Sequence, residues 1–438
     1  MSHLLRTVLL ILFTAGLAGV PGPRAFAQDT AIDKIINPTE VEKIEQVLSA
    51  DDMQGRGTFT PGIEKAADFI DAQFRAAGLL PMEHGHQYRQ RFSMANTELH
   101  AVSAIFDRDS IPADHIAVIS SGTQFDIDNA GDYEKAYIRA GQNWRAEYAR
   151  YVPAKKNWLV LVDTSFAREF KRLIRTRRQL FKSPYSAIFV LTTLDPGRYH
   201  IRVDQAVTQR DLANVVAILP GRSKRSEFVV FSGHYDHLGI GKPDEKGDSI
   251  YNGANDDASG TTAVIMLARY FAARHDNERT LVFAAFTAEE IGGFGSQYFS
   301  QQLDPASVMA MFNIEMIGTE SKWGTHSAYI TGYERSDMGK ILGKNLAGSG
   351  FTFYPDPYPD QQLFYRSDNA TLARQGVPAH TISTSKMDSE KTYHTRGDEI
   401  ATLDMVNMAQ IIQSVAISSR SIVAGTDTPS RVDTSQLR

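Results

Sequence analysis

The chain contains no cysteine. That absence removes disulfides, thiolate metal sites and cysteine nucleophiles together, so any bound metal must be held by His, Asp and Glu. An excess of charge of one sign is also missing, since 46 Lys and Arg stand against 51 Asp and Glu for a net charge of -5. Such a balance offers no global electrostatic reason to bind nucleic acid or an anionic membrane. Membrane-spanning apolar runs are lacking as well: Val8 to Val20 supplies about 13 residues where a span needs about 20.

What is present begins with that same short run. Arg6 before it and Ala25-Phe26-Ala27 after it have the pattern of a cleavable leader over 1–27, so the mature chain is expected to start at Gln28, in the periplasm or outside the cell. The full length of 438 residues allows two or three domains. With 42% hydrophobic and 22% charged residues, the composition is that of an ordinary globular protein.

Hydrophobic period organises the rest. Glu40–Leu48 and Ile63–Ala77 read as amphipathic helices flanking the loop Asp51–Gly57. From about Leu99 the character changes, with strand-like runs at Trp158–Val162 and Ala187–Leu191. Between them an apolar helical face extends from Phe166 to Phe181, opposite Arg168, Lys171, Arg172, Arg175, Arg177, Arg178 and Lys182, read as a solvated basic face with a polyanion-binding patch as the alternative. From Asp211 strands alternate with helices: strands at Leu212–Leu219, Glu227–Ser232, Thr280–Phe286, Val308–Ile314 and Pro378–Ser383, helices at Thr261–Ala273, after Ser367 and at Leu403–Val415. This alternation predicts an α/β fold, a mostly parallel mixed sheet with helices on both faces, and a smaller inserted domain. The expected division is a leader over 1–27, two segments of one main domain at 28–100 and 206–425, an insertion at 101–205 and a polar tail at 426–438.

In parallel sheets ligands bind beyond the carboxyl ends of the strands. Polar residues collect there in five places: Gly233-His234-Tyr235-Asp236-His237, Asn255-Asp256-Asp257-Ala258-Ser259-Gly260, Glu289-Glu290, Glu315 and Tyr393-His394-Thr395-Arg396-Gly397-Asp398. Several carboxylates and two histidines converging in one cleft would repel unless a cation joined them. If Asp256, Glu290 and Glu315 are ligands, their three negative charges suit two zinc ions and one further anion, with His234 and His394 neutral.

These blocks resemble those of the secreted di-zinc aminopeptidases, metallopeptidase family twenty-eight, whose relatives include glutamate carboxypeptidase, the transferrin receptor and glutaminyl cyclase. The resemblance covers about 206–420, more loosely 40–80, and implies a zinc-peptidase, phosphorylase/hydrolase-like fold. An insertion near 100–205 sits where such peptidases often carry a protease-associated domain, although no clear signature of one is visible. The resemblance implies that His234 and Glu315 bind one zinc, Glu290 and His394 the other, and Asp256 both. Glu289 would be the general base and Asp236 would orient His234, with Asp398 in a similar role near His394. The Asp256–Asp257 peptide would be cis. Tyr365, Arg366, Ser367 and Asp368 lie where the family shapes its substrate pocket.

The implied activity is hydrolysis of N-terminal residues from peptides by water held between two zinc ions. A carboxypeptidase of the glutamate type and a non-catalytic receptor-like homologue remain alternatives. Glu315 departs from the Asp that most members carry. Retention of Asp-Asp-Ala-Ser-Gly separates the chain from the single-zinc cyclases. No partner besides a peptide is implied, and the sequence is silent on oligomeric state.

Overall fold

The computed structural model describes residues 30–82, 87–152, 155–175 and 178–437; the leader read at 1–27 lies outside them. Its main sheet is built on β1 (Arg89–Phe106), β2 (Tyr199–Leu219), β3 (Lys224–His234), β4 (Arg279–Phe286), β5 (Val308–Ile314), β6 (Ser327–Ile330), β7 (Thr352–Pro355) and β8 (Ala379–Ser383). They lie in the order β7-β6-β8-β5-β3-β4-β2-β1. β4, β3, β5 and β8 run parallel at the centre, whereas β1, β2 and β4 pair antiparallel.

Successive side chains on a strand point to opposite faces, and both faces here are apolar. Val215, Phe231, Phe283 and Phe312 face one side. There they pack against helices α1 (Pro38–Leu48), α2 (Pro61–Ala76), α3 (Ser259–Arg274) and α7 (Met405–Val423). Their neighbours Val216, Val230, Val282 and Met311 face the other side, against α4 (Phe294–Ser300) and α6 (Asn369–Ala373); α5 (Met338–Leu346) joins the first group. Phe231 is wedged between Phe312, Phe271 and Phe283 at ring separations of 5.0, 5.4 and 5.7 Å. This packing, which Phe231→Ala would weaken by roughly 3–5 kcal/mol, fixes where His234 emerges three residues later. Among the described residues no helix is long and apolar enough to cross a membrane.

A second sheet, in the order Ile116–Ile119, Ala187–Leu191, Asn157–Val162, Tyr133–Ile138, forms a smaller lobe. Tyr151 and Phe170, from the helices Trp144–Tyr151 and Ala167–Arg175, are buried against it. β1 and β2 remain paired from Phe106–Tyr199 to Arg89–Val215, with one register shift at Asp204/Gln205. Positions 101 and 205 therefore fall inside paired strands, not in linkers. Residues 426–437 pack on the main lobe, with Arg431 donating to the carbonyls of Val308 and Pro305.

One expected element is different. The apolar face read from Phe166 to Phe181 is not one helix: the helix ends at Arg175, and Arg178–Phe181 is a strand paired with β1. Tertiary contact overrides helical period there, because Phe181 packs on Phe92 at 6.0 Å and edge-on to Phe294 at 5.8 Å. Arg168, Lys171, Arg175 and Lys182 are exposed, while Arg177 lies outside the described residues.

Candidate metal centre

His234 is the last residue of β3, Glu315 directly follows β5, and Glu289-Glu290 follow β4 after one short turn. Adjacent parallel strands thus deliver three of the blocks to one edge of the sheet. Asp256 enters on the loop before α3, where the Asp256–Asp257 peptide is cis, as the resemblance implies. His394 arrives from a loop with φ 57°.

The loops are fixed by backbone hydrogen bonds to buried carboxylates. Asp257 accepts from the amides of His234 (3.1 Å), Gly260 (3.0 Å) and Met316 (3.0 Å), joining the ends of β3 and β5 to the start of α3. Gly260 is required by this close approach, since a Cβ would lie 2.2 Å from the Ile314 carbonyl oxygen and 2.4 Å from the Asp257 carboxylate. Asp398 accepts from the amides of Asn255 and Asp256 at 2.7 and 2.9 Å. It therefore steadies the Asp256 loop, a different task from orienting His394.

Asp236 also differs from expectation. Its backbone carbonyl, not its carboxylate, is the partner of His234 Nδ1 at 3.1 Å. The carboxylate instead accepts from the amides of Glu289 and Glu290 at 3.0 and 3.3 Å, and so sets the turn that presents both glutamates. Beneath the site, the guanidinium of fully buried Arg56 donates to the carbonyls of Leu48, Tyr235, Asn252 and Gly253 at 2.6–2.8 Å. Neither role is visible in local sequence, because each links residues far apart in the chain.

The ligand candidates form two groups about Asp256, one with His234 and Glu315, the other with His237 and Glu290. His234 Nε2 lies 3.2 Å from Asp256 Oδ1, while His394 Nε2 lies 3.1 Å from both Asp256 Oδ2 and Glu290 Oε2. His237, unassigned in the sequence reading, brings Nδ1 to 2.7 Å from Glu290 Oε1. The signal was present in the spacing His234-x-Asp236-His237 beyond a strand end.

The donor set fits a cation. His234 Nε2 and Glu315 Oε2 are buried without a hydrogen-bond partner, a costly arrangement for a polar atom unless an ion completes it. Burial pushes Glu289 well up from its ordinary value, with Glu315 and Asp368 adding repulsion. Burial likewise raises Glu315 to about 7, with Asp256 opposing its ionisation. His394 is raised to about 10 by its contacts with Asp256 and Glu290. Carboxylates resisting ionisation beside imidazoles that attract protons mark a site deficient in positive charge.

A cleft adjoins the clusters, lined by Asp256, Glu289, Glu315 and His394 together with Met316, Tyr329, Leu363, Met387, Arg366, Ser367 and Tyr393. Of the residues expected to shape the substrate pocket, Arg366 and Ser367 line it. Ser367 Oγ accepts from Asn313 Nδ2 at 2.7 Å and does not cap α6, whose N-cap position is Asp368. The Asp368 carboxyl is buried and raised to about 6, chiefly by desolvation. Tyr365 turns away, packing on the apolar group that contains Phe364 and Leu372.

Comparison with known proteins agrees with this geometry. Residues 214–417 match the model of Peptidase family M28. A probable zinc metalloprotease of Pyrenophora teres f. teres is 39% identical over 233 residues, covering 45% of this chain and 49% of the relative. Leucine aminopeptidase 1 of Ajellomyces capsulatus is 29% identical over 215 residues, 45% of this chain and 52% of that one. The chain thus spans about half the length of these curated relatives. An aminopeptidase from Aneurinibacillus sp. strain AM-1 superposes with a TM-score of 0.53 at 17% identity, over 90% of this chain and 95% of its own. A zinc aminopeptidase from Bacillus subtilis gives 0.53 at 15%, over 90% and 97%. At such identities the likeness establishes a shared fold. Sequence match, sheet topology and donor clusters converge, and the chain carries a peptidase family M28 domain over residues 214–417.

Proposed function

We propose that the protein is a zinc-dependent aminopeptidase that uses two zinc ions. The observation that carries this reading is the single carboxylate of Asp256 between two donor groups, one on each oxygen. His234, Asp256 and Glu315 would hold one ion, and Asp256, Glu290 and His394 the other. Zinc in these positions supplies a Lewis acid that polarises the scissile carbonyl and lowers the pKa of the attacking water towards about 7.

The chain's own residues handle the proton and the substrate. Glu289 is held by Asp236 through its backbone amide, so its carboxylate can accept the proton of the attacking water and return it to the leaving amine. The acidic wall of the cleft favours a free α-ammonium group. Met316, Tyr329, Leu363 and Met387 line the same cleft and favour an apolar side chain such as leucine. Arg366, the sole Lys or Arg among the lining residues, supports a second reading, in which a C-terminal carboxylate is bound and the enzyme is a carboxypeptidase. The 101–205 segment is read as an inserted domain, and a cleavable leader over 1–27 would direct the mature protein to the periplasm or outside the cell; N-terminal sequencing that finds a start other than Gln28 would refute the latter.

Hydrolysis of paired free and N-acetylated peptides by the zinc-loaded protein decides between the readings. Cleavage of free peptides alone supports the aminopeptidase, and equal cleavage of acetylated ones supports the carboxypeptidase. No hydrolysis of either, with zinc bound, would leave a receptor-like protein.

A further inference from the structure

We infer that His237 is a further protein donor to the ion at Asp256 and Glu290, so that this position is held by two imidazoles; the inference rests on the two-zinc reading. His237 Nδ1 lies 2.7 Å from Glu290 Oε1 and 3.9 Å from Asp256 Oδ2. His394 Nε2 approaches the other Glu290 oxygen and the same Asp256 Oδ2, at 3.1 Å each. Donors about 2.0–2.1 Å from a tetrahedral zinc stand about 3.3 Å apart, and these separations bracket that value. The two rings, 5.8 Å between centroids and 69° between planes, approach the carboxylate pair from two sides.

The His237 ring is also held as a ligand needs to be. Its side chain is fully buried, against 35% exposure for His394. Its amide donates to the Arg56 carbonyl at 3.2 Å. Gly253, at φ +59°, leaves the ring its place, since a Cβ there would approach the imidazole to 2.5 Å.

The test is metal binding by the full-length protein, read by competition with a chromophoric zinc chelator and by X-ray absorption. The wild type is expected to bind two zinc ions, with three imidazoles shared between them. His237→Ala is expected to weaken one ion by at least about 10–100-fold, the scale for disturbing a metal's supporting contacts, while the other is unchanged. His237→Gln, which retains a hydrogen-bond donor for Glu290, should be as weak as His237→Ala. Wild-type affinity in His237→Gln, or only two imidazoles over two ions in the wild type, would overturn the inference and leave the two-zinc reading standing. A wild type that binds fewer than two ions would instead refute that reading. The absorption measurement needs no variant to fold.

Discussion

The two donor groups share Asp256 and differ in what carries the rest. His234 and Glu315 leave the ends of adjacent central strands, β3 and β5, with the His234 side chain only 1% exposed. On the other side Glu290 follows a turn, and His394 stands on an exposed loop, stacked on Tyr393 at 3.9 Å. One group is part of the sheet and the other is assembled from loops. Strand ends give rigidity and burial, and loops give access, so the same carboxylate joins a donor group set deep in the scaffold to one that includes a partly exposed imidazole.

Breaking the shared element should have the largest effect. Asp256→Ala is expected to abolish hydrolysis and lower zinc content at both positions by metal analysis; loss of one ion alone would contradict the shared role. Glu289→Gln should reduce kcat by roughly 10²–10⁴-fold while zinc content stays at the wild-type value. Full activity in that variant would remove Glu289 as the base.

Chelation sharpens the contrast itself. Titration with a competing chelator should strip the His394-side ion first, giving a plateau at one zinc. His394→Ala should bring that first step to lower chelator concentrations, and His234→Ala should affect the second; a single step in the wild type would erase the asymmetry.

A buried carboxylate outside the clusters, near the Arg56 guanidinium, offers a control for burial away from the candidate metal positions. Burial pushes Glu45 up to about 8 from 4.5, although Thr262 Oγ1 donates to it. Because the folded-state value is the higher one, its contribution to stability is complete below about pH 4.5 and is lost as pH rises through about 8. Urea unfolding should show the wild type losing on the order of 4 kcal/mol over that window relative to Glu45→Gln. Parallel pH profiles for the two proteins would show that Glu45 does not carry the effect. The smallest change is expected from Glu315→Asp, which shortens one arm but keeps its oxygen. kcat/KM should shift by less than about 10-fold, or about 1.4 kcal/mol.

Much of this centre was legible because three of its blocks, those of His234, Glu289-Glu290 and Glu315, sit where apolar strands end, and strand and block are both local patterns. Phe228 to Ser232 announces β3, and His234 follows. The β1–β2 ribbon was less visible, because Arg89–Phe106 mixes exposed polar residues with its buried ones and gives no clean alternation. The tasks of Asp236 and Asp398 depend on amides 53 and more than 140 residues away, which no window on the sequence contains. His237 was overlooked for another reason: an imidazole three residues past a ligand is as readily structural as coordinating until its neighbours are known.

Arg56 has a consequence for where this protein can be cut. Its guanidinium binds the carbonyls of Tyr235, Asn252 and Gly253, just before His237 and Asp256, yet it lies 158 positions before residue 214, where the family match begins. A fragment trimmed to 214–417 would lack the guanidinium that gathers these two loops, and a unit that keeps it must reach back at least to Arg56.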